Sequence, residues 1–150
     1  MEDTAQIDLW NKSSGETVSA VFSLQWDGVN ARLSMDAPKL GLALQTEGPD
    51  LFDTLQQLRK ETLEPLGWVP LCNGARVDCY PSGMARDMGG GTVVYVLSAR
   101  PRVSIRQGLS LRRPQVDTFE SAPKEFVGSV EDQDAYFRTW LESRPKLLGQ

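Results

Sequence analysis

The residues best equipped for chemistry cluster between Leu71 and Gly91. Cys72 and Cys79 bring two thiols, and Arg76 and Arg86 bring planar cationic forks that suit carboxylate and phosphate. Asp78 and Asp87 are the carboxylates beside them. Asn73, Tyr80 and Ser82 add an amide and two hydroxyls, and Met84 and Met88 stand four apart. Three readings compete. In the first, the segment is a structured surface loop held down by Tyr80 and by the two methionines packing on a sheet. In the second it is a ligand site. There the Gly89-Gly90-Gly91 backbone, with Arg76, Arg86 and Ser82, cradles a phosphate or carboxylate, and Asp78 or Asp87 serves as acid or base. In the third it is a partner-binding loop that uses Met, Tyr and Arg as contact residues. The glycine run is neither of the familiar phosphate motifs. No Gly-Lys-Ser/Thr follows it, and a strand rather than a helix comes next.

Several chemistries are excluded by composition. The chain contains no histidine, so Ser-His-Asp and Cys-His triads cannot form. Two cysteines separated by six residues, without histidine, do not make a zinc site. No metal and no cofactor is therefore expected, and the two thiols are expected to be reduced and partly buried, with a local disulfide or a reactive thiol as the alternatives. An enzyme built on this chain would rely on carboxylate, Tyr, Lys or Arg chemistry.

Charge is unevenly distributed. Net charge is -4 over 150 residues, but residues 66–115 hold seven arginines, no lysine and only two aspartates. Residues 1–65 hold 11 acids against 5 bases, and residues 116–150 hold 7 against 4. The middle block is expected either to pair with the acidic helices or to meet an anionic partner. The acidic remainder and the lack of aromatic residues among those arginines argue against nucleic acid. No apolar run approaches 18 residues, so no transmembrane helix is expected. The first residues show no basic and apolar leader pattern, which makes the cytoplasm the default compartment.

The elements that would position these groups read as an α+β domain spanning residues 1–150. Ile7–Trp10 is a short apolar strand. Val18, Ala20, Phe22, Leu24 and Trp26 alternate with period two, as in a half-buried strand. Asp27-Gly28 predicts a tight hairpin and a return strand through Val29, Ala31, Leu33 and Met35. Ala37-Pro38 breaks that strand, and Leu40, Leu42 and Leu44 start a fourth.

A helix is predicted over about 50–64, with Pro49 in its first turn, Asp50 and Asp53 at its positive end, and a Leu51, Leu55, Leu58 stripe facing the core. Pro65 stops it and Gly67 caps it. Pro70 places Trp68–Cys72 at a sheet edge. Thr92–Ser98 is the strongest strand and reads as central, with Val103–Leu111 and Val116–Phe119 as weaker candidates. The last helix spans about 130–143. Ser129 is its N-cap, Val130, Phe137, Trp140 and Leu141 are its core face, Arg138 and Arg144 suit its C-terminal half, and Pro145 ends it.

Four stretches resemble a pattern found in small, functionally uncharacterised bacterial proteins. They are Cys72-Asn73-Gly74-Ala75-Arg76, Tyr80-Pro81-Ser82-Gly83-Met84, Gly89-Gly90-Gly91 with Tyr95 after it, and Gln133 to Trp140. The resemblance covers the second half best and implies no catalytic residues. In general character, a small acidic α+β protein of this kind also resembles the immunity proteins that neutralise toxins in bacterial polymorphic-toxin loci. The expectation is thus a non-enzymatic binding protein with a protein partner, a toxin domain in the most specific form. The alternative is an anion-binding domain or small enzyme centred on residues 73–91.

Overall fold

Alternation of apolar and polar residues builds the largest layer. The computed structural model describes residues 2–99, 102–104 and 110–143. Strands β1 (Glu2–Asn11), β2 (Thr17–Trp26), β3 (Ala31–Ala37), β4 (Leu42–Gly48) and β5 (Trp68–Pro70) form one antiparallel sheet in the order β4-β3-β2-β1-β5. The period-two residues Val18, Ala20, Phe22 and Leu24 of β2 are buried beside Ile7 and Leu9 of β1 and Leu33 and Met35 of β3. β5 lies at the edge, as Pro70 requires.

Local chemistry shifts several boundaries. β1 reaches back to Glu2, well beyond its apolar segment, because pairing with β2 continues to Glu2↔Gln25. β3 begins at Ala31, not Val29, which is 74% exposed. The reason is Asp27, whose carboxylate accepts from the N–H groups of Asn30 (2.7 Å) and Val29 (2.9 Å) and holds the turn open. Those two donors keep the Asp27 carboxyl below its ordinary pKa. Leu40 belongs to a single 3-10 turn, Pro38–Leu40, so β4 starts two residues later.

Helix α1 (Leu51–Leu58) lays Leu51, Leu55 and Leu58 on the inner face of this sheet, as its stripe predicts. Asp50 is its N-cap, accepting from the Asp53 N–H at 2.8 Å, so Pro49 stands before the cap and not in the first turn. The helix does not run uniformly to residue 64. It widens into a π turn at Arg59–Leu63 and tightens into a 3-10 turn at Glu64–Leu66, which contains Pro65 and ends at Gly67. Arg59, four residues beyond Leu55 on the same helical face, is fully buried, while Lys60 faces solvent.

A second, smaller sheet follows. β6 (Cys79–Tyr80), β7 (Val93–Val96) and β10 (Gln115–Asp117) pair in the order β10-β7-β6. The strong Thr92–Ser98 run is therefore central, but to its own sheet and not to the N-terminal meander. Val103–Leu111 is not a single strand on β7. Its described parts, β8 (Arg102–Ser104) and β9 (Ser110–Arg112), pair with each other. Residues 105–109 of that run lie outside the described residues.

Between the sheets, residues 72–77 meet 118–128 through two separate antiparallel bridges, Cys72↔Ser121 and Arg76↔Val127. Gly74 N–H donates to Thr118 O (2.8 Å), Val77 N–H to Phe126 O (2.9 Å) and Gly128 N–H to Ala75 O (3.1 Å). Helix α2 (Gly83–Gly89) precedes β7, and α3 (Val130–Ser143) closes the described chain. Ser129 caps α3 through the Asp132 N–H (3.0 Å). The expected core face of α3 needs correction. Val130 is buried, but Phe137 and Trp140 are only half-buried and Leu141 is 42% exposed, while the polar Gln133 is fully buried. Arg144 and Pro145 lie outside the described residues. Among those described, no helix is long and apolar enough to cross a membrane.

Candidate functional site

The 71–91 segment divides into a sealed half and an open half. In the sealed half, Asn73 is buried and donates its amide to Asp117 O (3.1 Å). A Cβ on Gly74 would meet Leu55 and Thr118 at 2.6 Å, so the glycine answers a packing demand. Arg76 directs its fork at Asp78, with Nε to Oδ1 at 2.9 Å and Nη2 to Oδ2 at 2.8 Å, and covers the Phe126 ring at 4.7 Å. Ser98 donates its hydroxyl to the same carboxylate at 2.6 Å. Burial pushes the Asp78 carboxyl up, but the Arg76 fork and the Ser98 hydroxyl outweigh it, leaving Asp78 below its ordinary pKa. The pairing of Arg76 is thus with its own loop and not with an acidic helix.

Both thiols are free and buried. Burial drives Cys72 up to about 11 and Cys79 to about 12, against the opposing fields of Arg59 and Arg76 respectively. Both are protonated at neutral pH, the form that is a poor nucleophile.

In the open half, Tyr80 donates its hydroxyl to Asp134 Oδ1 of α3 at 3.0 Å. Burial, followed by the Asp134 charge, raises its pKa. Ser82 caps α2 by accepting from the Ala85 N–H (3.0 Å), as its position predicts. Met84 and Met88 do share a face of α2, but that face points to solvent, at 72% and 75% exposure, and not onto a sheet. Asp87 is exposed beside them. Arg86 stands 3.7 Å from the buried Asp50 carboxylate and over the rings of Phe52 and Tyr80 at 5.0 and 5.5 Å. Arg76 and Arg86 are therefore held by separate carboxylates, Asp78 and Asp50. The glycine run is packed as well. A Cβ on Gly90, at φ +65°, would run into the Trp26 ring, and one on Gly91 would lie 2.7 Å from the Phe52 nitrogen.

Sequence reasoning passed over the polar node beneath this segment. Arg59 donates through Nη1 to Gln133 Oε1 (2.7 Å) and Gly74 O (3.2 Å), and through Nη2 to Gly128 O (2.9 Å), while its buried Nε has no partner among the described residues. Gln133 donates to the carbonyls of Gly74, Arg76 and Cys79 at 2.9 to 3.0 Å. Burial pushes the Arg59 guanidinium below its ordinary pKa, against the fields of Glu64 and Asp134. A signal existed. Arg59 continues the Leu51, Leu55 stripe at i+4, and Gln133 lies between Val130 and Phe137 on one helical face.

Above the node, rings from three elements stack into a ladder. Phe52 meets Tyr80 edge-on at 5.0 Å, Tyr80 lies parallel to Phe137 at 4.0 Å, and Phe137 lies 6.0 Å from Trp140. Arg113 covers the Trp140 ring at 4.9 Å. Beside the ladder opens a groove of about 690 Å³ between α3, the start of α2 and the second sheet. Tyr95, whose hydroxyl accepts from Gln115 Nε2 at 2.9 Å, and Leu97 line its sheet side. Another hollow, of about 830 Å³, lies at the β2–β3 hairpin and is lined mainly by polar residues such as Gln25, Asp27, Asn30 and Arg32. Among the described residues no group of three or more Cys, Asp or Glu is placed to hold a metal ion. Compared with protein-family models and with curated proteins, the chain matches none of either.

Proposed function

We propose that this chain is a non-enzymatic binding protein and, in its most specific form, an immunity-type protein of the cytoplasm that neutralises a cognate bacterial toxin by direct binding. The observation that carries the reading is the solvent-facing methionine pair of α2. Two large, adaptable apolar side chains, each more than 70% exposed, stand on a helix whose first residue, Gly83, lines an aromatic groove. Met, Tyr, Trp and Arg are enriched where proteins bind proteins. The same geometry weighs against an anion cradle. Arg76 and Arg86 face Asp78 and Asp50, Ser82 caps a helix, and the glycines pack on Trp26 and Phe52. The acidic remainder of the surface suits a basic partner region by charge complementarity, which raises association rate and selects partners.

Co-expression with a toxin domain encoded beside this chain tests the reading. The expected result is a complex that survives size-exclusion chromatography and restores growth, with rescue lost in the double variant Met84→Asp, Met88→Asp. A neighbouring product that is harmless alone, or that forms no complex, overturns the toxin reading. Rescue undiminished in the double variant removes α2 from the interface.

A further inference from the structure

We propose that the groove between the second sheet and α3 receives an acidic, extended segment of the protein partner, with a carboxylate on Arg113 and an apolar side chain against Tyr95, Leu97 and Trp140. This deepens the protein-binding reading and rests on it.

Arg113 carries the assignment. It lines the groove, lies over the Trp140 ring at 4.9 Å, and among the described residues donates one hydrogen bond, from Nη1 to Ala99 O at 3.1 Å. A guanidinium has five N–H donors, so among the described residues most of its capacity remains. Among the described residues no carboxylate stands within ion-pair distance of it, whereas Arg76 and Arg86 each have one. A ring beneath and a carbonyl at one nitrogen pre-orient the fork, which lowers the ordering cost of taking a carboxylate in bidentate fashion.

The charge in the groove points the same way. Among its described lining residues Arg113 is the one that carries a charge. An acidic segment is the complement of that lining. The groove's volume of about 690 Å³ and its aromatic lining supply room for an apolar side chain next to the carboxylate.

Single-stranded nucleic acid shares the need for arginine and aromatic residues, but it binds by stacking bases on free ring faces. Here the faces are occupied by one another. Tyr80 lies between Phe137 and Arg86, and Arg113 covers Trp140.

Fluorescence anisotropy on the full chain tests the assignment. The probe is a fluorescein-labelled glutamate decamer with two central phenylalanines. Three comparison probes replace phenylalanine by serine, replace glutamate by lysine, or use decauridine. The acidic, aromatic decamer is expected to bind best. Its affinity is expected to fall by about tenfold or more in Arg113→Gln and with the serine probe. Leu141→Asp, on the exposed rim, keeps the test informative if Arg113→Gln fails to fold. The added carboxylate is expected to weaken the acidic probe and spare the lysine probe.

Absence of binding, equal affinity in both variants, or tighter binding of decauridine overturns the proposal. The two levels separate cleanly. A toxin complex that forms and is indifferent to Arg113→Gln defeats the groove assignment and leaves the binding reading standing. Decamer binding that depends on Arg113, without any toxin complex, does the reverse.

Discussion

Residues 72–79 and 80–88 draw on similar residue types and meet opposite fates. Each half has an arginine, an aspartate and either a thiol or a hydroxyl. In the first, Arg76 and Asp78 are two apart in a turn closed by Cys79 N–H on Arg76 O at 3.3 Å, and their side chains satisfy each other at 2.8 Å. In the second, Arg86 and Asp87 are helical neighbours about 100° apart, so they diverge, and Arg86 turns inward to Asp50 while Asp87 faces solvent. The lesson is that local geometry decides whether charged groups close on themselves or remain available. The sealed half then gains the buried Arg59–Gln133 node beneath it, and the open half gains a groove above it.

The sharpest way to break this contrast is Gln133→Leu. The substitution removes the donor to three loop carbonyls and the acceptor for the Arg59 guanidinium, leaving a buried charge less satisfied. A loss of about 3–5 kcal/mol is expected in chemical denaturation. A change under about 1 kcal/mol would show that the node does not hold the sealed half.

Asp78→Asn should cost less, about 1.5–3 kcal/mol, because it weakens charge-assisted hydrogen bonds to Arg76 and Ser98 without removing a buried charge from below. The sign with pH follows from the lowered folded pKa. Asp78 contributes stability fully above the ordinary carboxylate value of about 3.9, and that contribution is lost as pH falls through the lower folded value. Wild type should therefore lose stability on acidification below about pH 4, and Asp78→Asn should lose less over the same window. Denaturation midpoints across pH 2 to 6, in steps of about half a unit, check both statements.

The smallest effect on stability belongs to the open half. Met84→Ser with Met88→Ser is expected to change stability by no more than about 0.5 kcal/mol, since both side chains already face water. If the pair instead destabilises the protein by 2 kcal/mol or more, roughly the cost of a core truncation, the face is core and the binding reading loses its main support.

Much of the architecture was legible in the residues themselves. Period-two alternation identified the β2 and β3 strands, the leucine stripe identified α1, and Ser82 and Ser129 identified two helix starts, because pleat, helical periodicity and capping are local properties. Pro70 at a sheet edge is equally local. What locality misses is the partner of each face. Nothing in Thr92–Ser98 says that this strand centres a second sheet. The same holds for Phe137 and Trp140, whose apolar character reads as core in any window but which form a half-exposed ladder with Tyr80.

The reactive segment itself shows the division best. Sequence alone determined which groups it contains, that histidine chemistry is absent and that Ser82 would cap a helix. Only the tertiary structure decided that Arg76, Asp78, Cys72 and Cys79 are turned inward, and that Met84, Met88 and Arg113 are left facing out. The physical reason is that burial, and every pairing except the local Arg76–Asp78 one, depends on residues distant in sequence, such as Asp50, Gln133 and Asp134, whose approach is set by the packing of α1 and α3.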